Sequence, residues 1–556
     1  MKRKNFWFIL TILAASVIAS RDLFKPGYFP MHDDMQAMRV LQMDKCIKDG
    51  QIPCRWVPDM GYGYGYPQFI YYSPLPYYVM EIFHLLGLSI LDSVKAGFIL
   101  SFFLSGLTMF ILGKSLWGDL GGVVSSIFYI FAPYRASDVY TRGAVGEFWA
   151  LLFMPLIFWS ILKYIKDEKF RYFASMALSL AGLFITHNIT SMIFIPVVCL
   201  WSFLLLWELK KWYLFPKIIL GFVWGVTFAG FFIFPLIFER KFAHIETMFM
   251  GYFNYLAHFV SWRQLFTSTH WGFGSSELGP YDDLSFSIGV FHWLFSFLGT
   301  LVIFLTNKKE KFFKIIIFFF LIFLGSAFMT HQRSIFLWNK VPFLAYLQFP
   351  WRFLTLVVFS TSTLSGLIIY LVRNYHWKLF LTTIMIFGVI FLNAFYFRPK
   401  EWYNIDDDYK FSGDLWERQL TISIFDYLPI FAKMPPDKKA PELPEIIGGE
   451  GKILSYQKGS NWQKGKIIIL TDEAKIKLPL FYFPGFKVWV DRKQSAIDFK
   501  NDLGLITLKL TRGEHEVFAR LTKTFPRLIG DFLTVASLLL LIYLFFLRKN
   551  VFESKF

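Results

Sequence analysis

The first 34 residues of the chain read MKRKNFWFILTILAASVIASRDLFKPGYFPMHDD. A basic start is followed by an apolar run from Phe6 to Ser20 and, about a dozen residues later, by the tripeptide His32-Asp33-Asp34. Basic residues hold the start of a membrane helix in the cytoplasm, so the tripeptide is expected on the outer face. Two adjacent carboxylates beside a membrane are costly unless a cation binds there or one of them works as a base. This stretch therefore orients the fold and marks the first place to look for chemistry.

The composition is that of a polytopic membrane protein. Of 556 residues, 55% are hydrophobic, 21% are aromatic and only 17% are charged. A soluble chain of this composition would expose more apolar surface than a folded monomer tolerates. The net charge of +17 does not indicate nucleic acid as a partner, because the basic residues cluster between apolar runs, where they act as topology signals and contact lipid headgroups.

The number of membrane spans follows from the side on which the basic clusters lie. A run at 71–90 contains Pro74, Pro76, Glu81 and His84. If it crosses the membrane, the clusters near Lys166, Lys210 and Lys308–Lys314 fall outside, against the basic N-terminus; if it lies along the surface, every short basic loop is cytoplasmic. We therefore predict a surface-lying helix at 71–90, cytoplasmic termini and about twelve spans. The predicted spans are 6–20, 96–113, 120–133, 148–164, 172–190, 192–209, 217–238, 286–305, 314–330, 353–372, 378–397 and 527–547.

The predicted fold class is mainly α, a transmembrane helical bundle with a β-sandwich on the outer face before the last helix. Residues 1–397 form the membrane module with a large outer loop at 21–94, residues 398–525 form the β-rich domain, and residues 526–556 form the final helix and tail. Strand-like runs separated by turn residues predict the sandwich, reached through a Pro-rich linker at 434–444. These runs are Lys466–Leu470, Lys475–Phe483, Phe486–Asp491, Leu505–Leu510 and Glu516–Leu521.

Two features of the outer loop and the N-terminus leave alternatives open. Cys46 and Cys54 share the outer loop and could pair in an oxidising compartment, whereas Cys199 lies in a helix and is interpreted as a packing residue. The N-terminal run also resembles a signal peptide. Cleavage or retention of that run leaves the same loop outside, and we favour retention.

The candidate site residues share the outer side of the membrane. Asp33, Asp34, Asp138 and Glu147 are the catalytic candidates, because the second outer loop, 134–147, brings further carboxylates to this side. Each has a structural alternative: Asp33 or Asp34 could cap the helix predicted from Met35, and Asp138 and Glu147 could pair with nearby arginines. Arg352 could anchor its helix or bind a lipid-linked phosphate. The binding candidates are His32, Arg135, Arg142, His187 and Arg352; His331 is a weaker one.

Several other patterns narrow the function. No phosphate-binding loop, dinucleotide fingerprint, HExxH or Cys-rich metal spacing occurs, which weighs against ATP-driven transport and zinc hydrolysis. Charged residues are scarce in the apolar runs, which weighs against an ion pathway. The run Gly61–Tyr72 is rich in tyrosine and indicates either headgroup anchoring or a platform for a sugar or a polyprenyl chain.

The arrangement resembles the GT-C class of integral-membrane glycosyltransferases, which use polyprenyl-phosphate sugars. The shared plan is a first helix, a large outer loop that opens with an acidic motif, a surface-lying helix and a second acidic residue in the next outer loop. Two groups are also similar: the bacterial membrane family labelled "6-pyruvoyl-tetrahydropterin synthase-related" and the lipoteichoic-acid glycosylation type of membrane protein. The matching segments for the first group are His32-Asp-Asp, Pro133-Tyr-Arg, Arg142-Gly-Ala-Val-Gly-Glu147, Thr186-His-Asn188 and Phe349-Pro-Trp-Arg-Phe353; for the second they are Tyr482–Asp491 and Arg512–Glu516.

The resemblance implies an inverting transfer from a polyprenyl-phosphate-linked sugar to a glycan, lipid or protein acceptor outside the plasma membrane. The first-loop base of the class falls on Asp33 or Asp34, and Arg135, Arg142 or Arg352 would stabilise the departing phosphate. The doubled aspartate leaves open a metal-assisted variant, with a divalent ion on Asp33 and Asp34. No other cofactor is expected. The alternative function is that of a non-enzymatic lipid or polysaccharide flippase, or of a scaffold for envelope assembly.

Overall fold

A computed structural model describes residues 2–279, 281–306 and 312–553 of the protein. Most of these residues are helical, and an antiparallel sheet precedes the last helix, as the predicted fold class requires. The α-helices are α1 (Lys2–Ala19), α2 (Gln36–Lys48), α3 (Gln68–Tyr71), α4 (Leu75–Leu85), α5 (Ile90–Ile130), α6 (Pro133–Tyr140), α7 (Val145–Asp167), α8 (Phe170–Phe184), α9 (Asn188–Glu208), α10 (Phe215–Phe228), α11 (Gly230–Glu239), α12 (Trp262–Phe266), α13 (Val290–Thr306), α14 (Phe313–Thr330), α15 (Ile335–Lys340), α16 (Leu354–Leu371), α17 (Tyr375–Asn393), α18 (Asp407–Lys410), α19 (Gly413–Thr421) and α20 (Phe525–Glu553).

The apolar helices make this a membrane protein. Within the described ranges, seven helices are long and apolar enough to cross a membrane, or eight if the pair Trp212–Phe228 and Gly230–Phe242, bent by 80°, is one span. Three further apolar helices, Asn5–Ala19, Phe170–Phe184 and Val290–Leu305, are shorter. Gly118, with φ 78°, interrupts α5 and divides it into two helices. The count of twelve spans stays a prediction. Of the basic cluster at 308–314, Lys308, Lys309 and Lys311 lie outside the described residues.

The chain divides into two compact units. The first comprises Met1–Gln36, Leu91–Val226 and Met248–Ile405, and the second comprises Ala37–Ile90, Thr227–Thr247 and Asp406–Phe556. The first unit contains most of the apolar helices. The second combines the sheet, the last helix and most of the outer loop predicted at 21–94.

The sheet of the second unit is continuous, whereas two packed sheets were expected. Its order is β1-β3-β6-β4-β5, and β2 also pairs with β3. The predicted strands at 466–470 and 475–483 belong to a single strand, because a register shift between Ile469 and Glu473 lets the pairing with β6 continue past the irregularity. The strands are β1 (Glu445–Ile447), β2 (Gly451–Lys458), β3 (Trp462–Phe481), β4 (Phe486–Val490), β5 (Lys493–Ser495) and β6 (Leu505–Leu521).

Buried ion pairs fix the start of α20 within the second unit. Arg527 donates to Glu239 from Nε at 3.0 Å and from Nη2 at 2.8 Å, and both side chains are almost fully buried. Thr524 also donates to Glu239. Arg55 pairs with Asp531 at 2.5 Å. Two-pronged pairing of this kind compensates the desolvation of buried charge.

The run at 71–90 forms a helix shorter than predicted, α4, which is absent from the membrane-length helices. Tyr77 and Glu81 are buried on one side, whereas Ile82 and Leu85 are more than half exposed on the other. A disulfide between Cys46 and Cys54 closes the turn that follows α2.

Candidate active site

The tripeptide His32-Asp33-Asp34 lies in a turn that ends where α2 begins. Backbone hydrogen bonds join this turn to the second outer loop: His32 N donates to Thr141 O at 2.9 Å, and Asp33 N donates to Arg142 O at 3.0 Å. The Asp33 and Asp34 side chains are half-buried, and His32 is exposed. The two outer loops that carry the predicted catalytic carboxylates are therefore adjacent in the structure.

Gln36 holds the same junction with its side chain. Its Nε2 donates to Gly143 O at 2.7 Å and to Asp33 Oδ2 at 2.9 Å. The Asp33 carboxylate thus accepts from a side-chain amide that also grips the second loop. The sequence offered capping of α2 as the structural role of Asp33 or Asp34. The hydrogen bond from Gln36 is a further contact of the Asp33 carboxylate, in addition to any capping.

Two glycines of the Arg142–Glu147 segment permit the close approach of neighbouring loops. Gly143 has φ 63°, and a Cβ there would lie 2.3 Å from the sulfur of Met31. A Cβ on Gly146 would lie 3.0 Å from Thr186 O and 3.1 Å from His187 Cδ2. The segment therefore contacts both the first outer loop and the Thr186–Asn188 turn, and side chains larger than hydrogen would force these loops apart.

A buried ionic cluster lies directly behind this junction. Arg142 donates to Asp138 from Nη1 and to Glu147 from Nη2, the latter at 2.8 Å. The Tyr134 hydroxyl donates to Glu147 Oε1 at 2.6 Å and accepts from Arg142 Nη1 at 3.0 Å. The sequence favours this geometry, because Asp138 lies near the end of α6, Arg142 in the turn after it, and Glu147 in the first turn of α7, where the helix dipole favours a carboxylate.

One carboxyl oxygen of the cluster has no hydrogen-bond donor among the described residues. Asp138 Oδ2 is buried and accepts no hydrogen bond from any described residue. Burial and the negative charge of Glu147 raise the pKa of the Asp138 carboxyl well above its usual range, although Arg142 opposes the shift. This oxygen is therefore suited to hold a proton or to accept one from a bound molecule.

Two more of the sequence motifs converge on the cluster. The Arg142 guanidinium lies 4.3 Å from the ring centre of Trp351. The neighbouring Arg352 donates from Nη1 to Leu347 O at 2.7 Å and to Gln348 Oε1 at 3.1 Å. His187 is the N-cap residue immediately before α9, and its Nδ1 accepts from Thr190 N. Because Nδ1 accepts this hydrogen bond, the neutral ring carries its proton on Nε2.

Two predicted residues lie elsewhere. Arg135 is fully buried, donates to Tyr129 O at 3.0 Å and to Ser105 Oγ at 2.7 Å, and is surrounded by aromatic rings. These contacts give Arg135 a structural role in packing, and its guanidinium is not available to bind a phosphate. His331 stacks on Trp262, with ring centres 4.4 Å apart. Arg142 forms ion pairs with both Asp138 and Glu147. Pairing with a nearby arginine was the structural role expected for these two residues as an alternative to catalysis.

Gln36 and Tyr134 are site residues that sequence reasoning missed as contributors. Tyr134 lies inside the Pro133-Tyr-Arg motif, which was a usable signal, whereas nothing in the sequence marks Gln36. In the described part of the chain, no three His, Cys, Asp or Glu side chains converge as a metal site. Asp33 and Asp34 alone would supply two carboxylates, so a divalent ion there would depend on water or substrate oxygens for its remaining ligands.

Comparison with known proteins leaves the family open. No protein-family description matches the chain. An uncharacterized protein of Lactococcus lactis subsp. cremoris (strain MG1363) is 29% identical over 253 residues, which are 43% of this chain and 41% of that protein. The chain thus spans about two fifths of the length of this relative.

Among solved structures, similar chains are membrane glycosyltransferases. The Archaeoglobus fulgidus oligosaccharyltransferase tethered with an acceptor peptide matches with a TM-score of 0.44 and 12% identity, over 72% of this chain and 56% of that one. Mycobacterial arabinofuranosyltransferase AftD matches with a TM-score of 0.47 and 10% identity, over 72% and 28%. ArnT from Cupriavidus metallidurans bound to undecaprenyl phosphate matches with a TM-score of 0.39 and 13% identity, over 68% and 63%.

Proposed function

We propose that the protein is a membrane glycosyltransferase that moves a sugar from a polyprenyl-phosphate donor to an envelope acceptor on the outer face of the plasma membrane. The observation that carries the proposal is the pairing of His32 and Asp33 with Thr141 and Arg142. It places the half-buried Asp33-Asp34 pair beside a buried cluster of acidic and cationic groups. The Cys46–Cys54 disulfide supports an oxidising, outer location for this loop.

The reaction is a single displacement with inversion. A carboxylate of the first loop, Asp33 or Asp34, takes the proton of the acceptor hydroxyl. The acceptor oxygen forms a bond to the anomeric carbon, and the bond from that carbon to the phosphate oxygen breaks. The electron pair leaves with the polyprenyl phosphate, whose negative charge grows in the transition state. The donor is already activated, so the step needs no nucleotide.

Arg352 is the residue to which we assign stabilisation of that phosphate. Arg142 is shared between two carboxylates, so its charge is balanced within the protein. Arg352 donates to the carbonyl oxygen of Leu347 and to the side chain of Gln348, and these hydrogen bonds orient its guanidinium, whose planar fork matches phosphate oxygens. Arg142, Asp138 and Glu147 then hold the second loop in place against the first, with His187 and His32 at its borders.

The test is sugar transfer in proteoliposomes from a panel of radiolabelled polyprenyl-phosphate sugars. Asn is nearly isosteric with Asp and keeps its capping ability, so Asp33→Asn and Asp34→Asn separate catalysis from helix capping. We expect one of them, Asp33→Asn, to lower turnover roughly 100- to 10,000-fold with donor binding unchanged, and the other to have a smaller effect. Asp408→Asn, at an exposed aspartate, is the matched control. Wild-type transfer by both first-loop variants would refute the mechanism and favour the flippase or scaffold function.

A further inference from the structure

A cleft of about 800 Å³ lies in the second unit, between the outward face of the sheet, the disulfide-closed turn and the start of α20. It contains no residue of the candidate active site. Its lining is strongly basic, with Glu516 as the acidic residue that faces it. The cations that line it are Arg55, Lys464, Arg492, Arg520, Lys523 and Arg527.

Part of this charge is balanced within the protein. Lys464 pairs with Glu516 at 2.6 Å, and Arg55 and Lys523 share Asp531. Arg527 pairs with Glu239, as described above. Six cations thus face three carboxylates. Arg492 and Arg520 are exposed and form no ion pair with any residue that the structure describes, so the cleft has an excess of positive charge.

The strand register explains how aromatic rings come to lie among these cations. Phe518 on β6 is directly opposite Lys464 on β3 and Trp489 on β4. The alternate residues Val517 and Ala519 are buried in the core. Since side chains alternate along a strand, Phe518 and Arg520 project together to the outward face. The rings of Phe518 and Trp489 stack, with centres 5.7 Å apart and planes at 27°.

We infer that this cleft binds an anionic saccharide chain. Guanidinium groups match carboxylates and phosphates in a planar, two-pronged geometry. An aromatic pair beside them offers an apolar face against which a sugar ring can pack. A cleft of this volume has room for a few sugar units. The role of that chain as the acceptor rests on the proposed glycosyl transfer; the binding itself does not.

The test measures binding by the full chain in phosphatidylcholine nanodiscs, with fluorescence anisotropy of an end-labelled hexamer of galacturonate. Wild type is expected to bind this hexamer and not the uncharged maltohexaose. The double variant Arg492→Gln with Arg520→Gln should weaken binding at least tenfold, and Trp489→Leu should weaken it by a smaller factor. The matched control is Lys475→Gln with Lys509→Gln, which removes two cross-strand cations outside the cleft and should change the Kd less than twofold.

Three results would overturn the inference: an equal loss in the control, equal binding of the neutral hexamer, or binding of phosphatidylglycerol vesicles without binding of the soluble chain. Transfer to a short uncharged acceptor separates this inference from the proposed function. If that transfer proceeds while the anionic hexamer fails to bind, the cleft inference alone is wrong. If the hexamer binds in the cleft while no polyprenyl-phosphate sugar is transferred, the binding site stands and the proposed reaction fails.

Discussion

At the scale of single residues, the division of Arg142 between two carboxylates determines how the site is charged. One guanidinium serves Asp138 and Glu147, and the Tyr134 hydroxyl adds a further hydrogen bond to Glu147. Asp138 therefore keeps one buried oxygen without a donor in the described protein. A buried polar atom without a partner needs an explanation, and we propose that a bound ligand or a proton completes this one.

Replacement of Arg142 and of Arg352 by Gln should have different consequences. Arg142→Gln leaves two buried carboxylates without their counter-ion, which costs about 3 kcal/mol or more of stability. Arg352→Gln removes the guanidinium that we assign to the phosphate, so we expect turnover to fall at least tenfold while the protein still folds. Thermal unfolding in detergent and transfer in proteoliposomes measure the two effects. An Arg142→Gln protein as stable as wild type would contradict the ionic cluster.

At the scale of elements, the junction between the two outer loops depends on backbone conformation as well as on charge. Gly143 combines a positive φ with the close approach of Met31. The Cys46–Cys54 turn and the helix α4 belong to the same outer loop further along the chain.

Gly143→Ala should disrupt this junction. Its Cβ would meet Met31 at 2.3 Å in addition to the strain of a positive φ. Gly251 offers a matched control, because its φ of 57° is similar and a Cβ there meets nothing within 4 Å. Both variants incur roughly 1–2 kcal/mol of backbone strain, so a much larger loss of transfer activity in Gly143→Ala isolates the packing effect. Equal losses in the two variants would show that the contact with Met31 is unimportant.

Glu81 on α4 should make stability depend on pH. Burial, followed by the charge of Asp44, raises the pKa of Glu81 from its ordinary 4.5 to about 8 in the folded protein. Between these values the folded state holds a proton that the unfolded state has lost, so this contribution is complete below pH 4.5 and decreases toward pH 8, by roughly 1.4 kcal/mol per pH unit. The thermal midpoint of Glu81→Gln should vary less between pH 5 and 8. The control Glu514→Gln, at an exposed position, should follow wild type, and a Glu81→Gln profile identical to wild type would contradict the shift.

At the scale of the whole molecule, features that depend on neighbouring residues in the sequence could be predicted, whereas features that depend on contacts between distant residues could not. Apolar runs and short motifs are local, so the helices and the segments around Asp33, Arg142, His187 and Arg352 could be located in advance. Arg135 and Arg142 flank the same carboxylates in sequence, and only packing separates the aromatic environment of one from the ionic cluster of the other. The continuity of β3 through its register shift also depends on the partner strand.

The orientation in the membrane is tested by cysteine labelling of intact cells in a Cys199→Ser background. Lys169→Cys lies in the short basic connection between α7 and α8, which we predict to be cytoplasmic. Asp408→Cys lies in the domain that we predict to be outside. An impermeant maleimide should label Asp408→Cys in intact cells and Lys169→Cys only after permeabilisation. Labelling of Lys169→Cys without permeabilisation would reverse the assigned sides and remove the proposed site from the outer face.

The ion pair between Glu239 and Arg527 has a consequence for biogenesis. The ribosome adds Arg527 nearly three hundred residues after Glu239, so the nascent chain carries this carboxylate without its counter-ion while those residues are synthesised. Assembly of the second unit around Glu239 therefore cannot be completed before Arg527 has been synthesised. A chain truncated before residue 527 would keep the Glu239 carboxylate without its counter-ion. Such a chain would be a target for membrane quality-control proteases. Glu239→Gln should extend the lifetime of this truncated chain.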